Sequence, residues 1–155
     1  MTLASSPTSA ADFTLHLNDS LTTDADFIGV RASVDARGFS GLTTFTIARR
    51  DVQRFLVDAS NVLDGSAELA VLLGGWNDRE EYLRLQLART RTGIEFVVRV
   101  RMATPGLRAD HWSRVDTEFV VEGDALAAFL DAVARFATTD SVASASLRGV
   151  AEVIA

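Results

Sequence analysis

Hydrophobic and polar positions alternate along most of this chain, and the alternation is broken twice by a helical period. Residues 12–18 (DFTLHLN) place Phe13, Leu15 and Leu17 on one side and Thr14, His16 and Asn18 on the other, which predicts a half-buried strand. Residues 27–34 repeat the pattern with Ile28, Val30, Ala32 and Val34 inward. A turn at 35–38 (DARG) leads into a third strand over 39–47 (FSGLTTFTI), with Gly38 free to take positive φ. The period then changes. Val52, Phe55, Leu56, Ala59, Val62 and Leu63 recur at three- and four-residue steps and predict a helix from Arg49 to Asp64, stopped at Gly65.

Strand character returns over 66–73 (SAELAVLL). A hairpin follows, in which Leu83, Leu85 and Leu87 alternate with Tyr82, Arg84 and Gln86. After a turn near Thr90–Gly93, Ile94, Phe96, Val98, Val100 and Met102 alternate with Glu95, Val97, Arg99 and Arg101. A last strand spans Val115–Glu122. Asp124 stands where it can meet the free amides of a second helix, whose stripe is Leu126, Phe129, Leu130, Val133 and Phe136. Leu147, Val150, Ala151 and Ile154 have the spacing of a short third helix. The chain shows no internal repeat and no linker that would divide it.

The expected architecture is α+β: one antiparallel, or mixed, sheet of six to seven strands in the order βββ-α-ββββ-α. Both helices pack on one face, because strands and helices with one apolar side each need cover. The domain is read as 12–138, preceded by a flexible tail over 1–11 and followed by a tail over 139–155 that the spacing allows to form the short helix.

Composition narrows the chemistry. The chain has no Cys, which removes disulfides, thiol catalysis and Cys-ligated metals. All 15 cationic side chains are Arg, so no amine is present for Schiff-base chemistry and no lysine for a phosphate loop. His16 and His111 are the two histidines, too few for a multi-histidine metal site. Gly74-Gly75 lacks the flanking pattern of a phosphate loop, and no GxSxG occurs. Neither a cofactor nor a metal is expected, and the chain reads as non-enzymatic.

The formal charge of −6 argues against nucleic acid as a partner. Residues 111–155 hold three Arg against seven acids, so the last third carries most of that charge. No apolar run reaches the length of a membrane helix, and Met1–Ala11 has no signal-peptide character. The expectation is a cytoplasmic protein with no membrane partner, a monomer or a homodimer.

Two groups of candidate contacts remain. Trp76 with Arg79, and Trp112 with His111 and Arg114, fall outside the periodic segments and have the composition of interface hot spots. Structural anchoring of loops explains the same tryptophans, and a small-molecule site between those loops is a third use. The second group lies on the solvated sheet face. Arg84, Arg99 and Arg101 should stand beside Asp116 and Glu118, either as cross-strand pairs or as contacts to another protein.

Three runs together, DVQRFLVDASNVLDGSAELAVLLGG, YLRLQLARTRTGIEFVVRV and DHWSRVDTEFVVEGDALAAFLDAVARF, resemble the WapI-type immunity proteins of bacteria and related small domains. The shared scheme is helix, glycine joint, strand, hairpin, a Trp before the final strand and a closing helix, over about residues 49–136. The resemblance implies a bacterial protein that binds and neutralises a cognate toxin without catalysis. Homo-oligomeric or other interaction modules are the alternative expectation.

Overall fold

The computed structural model describes residues 8–17, 26–36, 38–75, 81–105, 112–138 and 144–152. Among them the chain forms β1 (Thr8–Leu17), β2 (Phe27–Ala36), β3 (Phe39–Ala48), α1 (Arg49–Asp64), β4 (Leu69–Gly74), β5 (Leu83–Arg89), β6 (Glu95–Pro105), β7 (Trp112–Glu122), α2 (Gly123–Thr138) and β8 (Ser144–Glu152). All strand pairs are antiparallel, in one eight-stranded sheet of order β3-β2-β1-β8-β7-β6-β5-β4.

The α+β class, the antiparallel sheet and the two helices agree with the sequence pattern; the strand count and element order do not. The difference is β8, which follows α2 where a tail or short helix is expected. Ala145, Leu147 and Ala151 face inward and are buried, while Ser146, Arg148 and Val150 are exposed. Leu147, Val150 and Ala151 also satisfy a helical spacing, so local pattern cannot decide between the two. Pairing decides: β8 makes nine register pairs with β1, from Thr8↔Glu152 to His16↔Ser144. The same pairing draws Thr8–Ala11, expected as part of a tail, into β1.

Helix α1 begins without a side-chain cap at Ala48. Instead the Arg49 amide donates to the Asp26 carbonyl at 2.9 Å, so a neighbouring segment takes an amide that the helix leaves orphaned. Its end is set by Gly65 at φ 93°, whose amide reaches the carbonyls of Asn61 and Val62. The apolar stripes of α1 and α2 join the inward residues of the strands in one core, with Phe13 and Phe129 ring centroids 6.2 Å apart.

The registers contain a repeat that the residue pattern hides. Val30 stands between Leu17 and Phe45, as Val98 stands between Leu87 and Phe119. Ala32 stands between Leu15 and Thr43, as Val100 stands between Leu85 and Thr117. Thr43 and Thr117 are the two buried polar residues among those described. The helix stripe Val52, Phe55, Leu56, Ala59 and Val62 recurs as Leu126, Phe129, Leu130, Val133 and Phe136, each 74 positions on, the offset that also separates the two Thr and the two Phe.

The chain is therefore two βββαβ units. In each, the strand after the helix crosses to pair with the first strand of the other unit: β4 joins β5, and β8 joins β1. A half-turn that exchanges β1–β4 with β5–β8 maps the sheet order onto itself if β3 and β4 are treated as neighbours.

The seam between the third and fourth strands is alike in the two units in one respect. Phe45 of β3 lies over Gly74 of β4, and Phe119 of β7 lies against Gly149 of β8. A Cβ at Gly74 would run into the Phe45 ring, and one at Gly149 would overlap the Val120 carbonyl oxygen and crowd Val121 and Phe119.

Candidate functional site

The seams differ in how they are closed. Across the mouth of the sheet, Thr43 Oγ1 donates to the Ala103 carbonyl at 3.0 Å, and Thr104 Oγ1 donates to the Leu42 carbonyl at 2.7 Å. These two bonds tie β3 to the end of β6. The equivalent Thr117 hydroxyl is buried and has no hydrogen-bond partner among the described residues. Beneath Phe45 the core holds a void of only about 10 Å³, lined by Leu15, Ile47, Val52 and Leu72 among others, no more than one water could use.

At the other seam β7 and β8 share a single register pair, Val120↔Val150. A groove of about 650 Å³ opens there. Its walls are apolar at Phe119, Val120, Val121 and Val150, and its polar groups are Glu95, Glu118, Glu122 and Arg148.

The outer face of the sheet leads into this groove. Leu69, Ala88, Val97, Val120, Val150 and Ala10 are successive register partners, so an apolar row crosses six strands. At about 4.8 Å per strand it is about 24 Å long. Leu69 is 53% exposed and Val150 49%, so the row is not sealed by other parts of the chain. It exists because each outward position at this level in β4 to β8 and β1 is occupied by Ala, Val or Leu, where the neighbouring outward positions on β5 to β8 are mostly charged.

One level above the row stand Gln86, Arg99 and Glu118, and one level further Arg84, Arg101 and Asp116, each set in register. This is the arrangement expected from the sequence, with one refinement. Arg99 reaches diagonally to Asp116 Oδ1 at 3.4 Å rather than to the directly opposed Glu118, and Arg101 meets Asp116 Oδ2 at 3.2 Å. Arg84 Nε lies 3.0 Å from Glu81 Oε1. Arg84, Gln86, Arg99 and Arg101 line a shallow cleft of about 90 Å³. All these groups are partly exposed, so each pair contributes about 0–1 kcal/mol; their value lies in fixing charge positions.

The loop candidates fare differently. Trp76, Arg79 and His111 lie outside the described residues. Trp112, expected before the last strand, begins β7 itself, opposite Pro105, because β6 and β7 pair further toward the loop than the apolar alternation extends. Arg114 is exposed on β7 opposite Ala103. The structure thus brings Arg84, Arg99, Arg101, Asp116 and Glu118 onto one surface. Sequence reading missed the apolar row and the groove, whose other wall is β8; the alternation around Val150 was the signal for it.

Among the described residues no group of three or more His, Asp or Glu gathers where it could hold a metal ion, and no helix is long and apolar enough to cross a membrane. His16 lies on the outer face of β1, opposite Arg31 and Ser144. No family model, curated protein or solved structure matches the chain.

Proposed function

We propose that this chain is a non-enzymatic binding protein that engages another polypeptide through the outer face of β4–β8. The observation that carries the reading is the apolar row flanked by fixed charges. Apolar area without cover, rimmed by Arg and carboxylate groups that already hold one another in place, is the composition of a protein contact surface. The partner that fits is cationic, because the last third of the chain holds the excess of acids and four of them, Asp116, Glu118, Glu122 and Glu152, lie on β7 and β8. The resemblance to WapI-type immunity proteins implies a bacterial toxin domain as partner; one with a basic surface would suit these acids, and the protein would act by occupying it.

The test is co-expression with a toxin domain encoded beside this gene, with growth rescue and calorimetric binding as readouts. The reading expects both, and expects Val97→Asp to weaken binding by at least about tenfold while the fold is kept. Neither rescue nor binding would sink the toxin assignment.

A second reading, a homo-oligomeric module, is favoured by Leu69 and Leu73 on the end strand β4, which are 53% and 50% exposed. Sedimentation across a hundredfold range of concentration separates the two: a persistent monomer removes the second.

A further inference from the structure

We infer that the groove between β7 and β8 receives a basic, extended segment of the partner, whose arginine or lysine side chains lie along Val120 and Val150 and reach the carboxylates of Glu95, Glu118 and Glu122. The inference rests on the partner-binding reading above and assigns it a place and a ligand chemistry. Its first support is shape. A space of about 650 Å³ that follows a strand edge suits a few side chains of an extended peptide.

Its second support is charge. Three carboxylates face one guanidinium across the groove, and Arg148 is itself directed toward Asp12 Oδ2, 3.7 Å from its Nε. None of the three glutamates has an ion pair among the described residues, whereas Asp116 beside them holds both Arg99 and Arg101. The acids of the groove are thus the ones left for a ligand. Its third support is the mixture of walls. A long cationic side chain gains by laying its methylenes on valine while its head stays with carboxylate and water, which neither an acidic nor a purely apolar segment can do. A second copy of this chain is a poorer occupant: its net charge is −6, and the outer-face arginines of β5 and β6 are already engaged.

The test is an NMR titration of the full chain with an end-blocked pentapeptide of alternating arginine and valine, and with its counterpart in which glutamate replaces arginine. Saturable amide shifts confined to Glu95 and to residues 118–122 and 148–151 are expected for the basic peptide alone, weakening as salt rises. The double variant Glu118→Gln, Glu122→Gln should lose at least about tenfold in affinity. Both positions are exposed, so an unchanged spectrum elsewhere will show that the fold is kept.

Absent or scattered shifts, or equal binding of the acidic peptide, would overturn the inference. So would peptide-free shifts at the same residues that grow with protein concentration, since a second copy would then be the occupant. A partner that binds the chain but is indifferent to the glutamine pair overturns the groove assignment and leaves partner binding standing.

Discussion

The β3–β4 seam and the β7–β8 seam occupy equivalent places in two βββαβ units, yet β7 and β8 share one register pair beside a groove, whereas β3 and β4 share none and β3 is tied to β6 instead. Both use a phenylalanine against a glycine, Phe45 on Gly74 and Phe119 on Gly149. Both lie beside a buried threonine at the same register. The difference is what lies across them. Thr43 and Thr104 bond to backbone carbonyls and hold β3 over the end of β6; Thr117 has no such acceptor among the described residues. The core of a repeat can thus be kept while its two seams are held by different contacts.

The largest test of equivalence is deletion of the two rings. Phe45 and Phe119 are each 1% exposed, so Phe45→Ala and Phe119→Ala should each cost about 3–5 kcal/mol in urea unfolding. A difference of more than about 2 kcal/mol between them would break the equivalence of the units.

The glycines come next. Gly74→Ala should cost about 1–3 kcal/mol, and Gly149→Ala more, because a buried ring can shift further than the Val120 carbonyl that the new methyl would strike. Phe45→Leu should recover part of the loss at position 74, seen as coupling of about 1 kcal/mol in a double-mutant cycle. Additive effects would show that the ring and the glycine are not in contact.

The threonines sharpen the contrast with nearly isosteric changes. Thr43→Val removes the bond to the Ala103 carbonyl and should destabilise by about 1 kcal/mol. Thr117→Val removes a buried hydroxyl with no partner and should be neutral or stabilising by a similar amount. Equal losses at the two sites would mean that the seams are closed alike.

The smallest effect lies at the end of α1, where the first unit turns into β4. The Ser66 hydroxyl donates to Asp64 Oδ1 at 2.6 Å and the Ser66 amide at 2.8 Å; these bonds, hydroxyl first, hold the Asp64 carboxyl below its ordinary pKa, with a weaker pull from Arg89. A depressed carboxyl stabilises the fold above its unfolded pKa, and the gain is lost as pH falls through the folded value. Ser66→Ala should raise the Asp64 pKa toward the ordinary value in a carbon-detected NMR titration; an unmoved pKa would show that the hydroxyl does not bond the carboxylate.

Much of this fold was legible because its stripes are clean. The helix stripe from Val52 to Leu63 and the stop at Gly65 give α1 with its observed ends, and the alternation of β5 to β7 gives the face that carries Arg99, Arg101 and Asp116. β8 was not legible, since its small inward residues fit two periods and its strand state comes from pairing with a segment 128 to 144 positions away. The repeat was hidden for a related reason. A core position accepts any apolar residue of suitable volume, so Leu17 answers to Leu87 but Ala32 to Val100, and only the helix stripes and the Thr and Phe pairs keep a constant 74-residue offset. The candidate site inherited that blindness, because the groove needs β8 as its second wall.

The β7–β8 groove is tested most directly by cross-strand backbone NOEs in the isotope-labelled chain. Val120 and Val150 are expected as the one directly opposed pair between β7 and β8, beside a full ladder from Thr8–Glu152 to His16–Ser144 between β1 and β8. A continuous β7–β8 ladder, with Glu118 opposite Glu152 and Glu122 opposite Arg148, would close the groove and contradict that expectation.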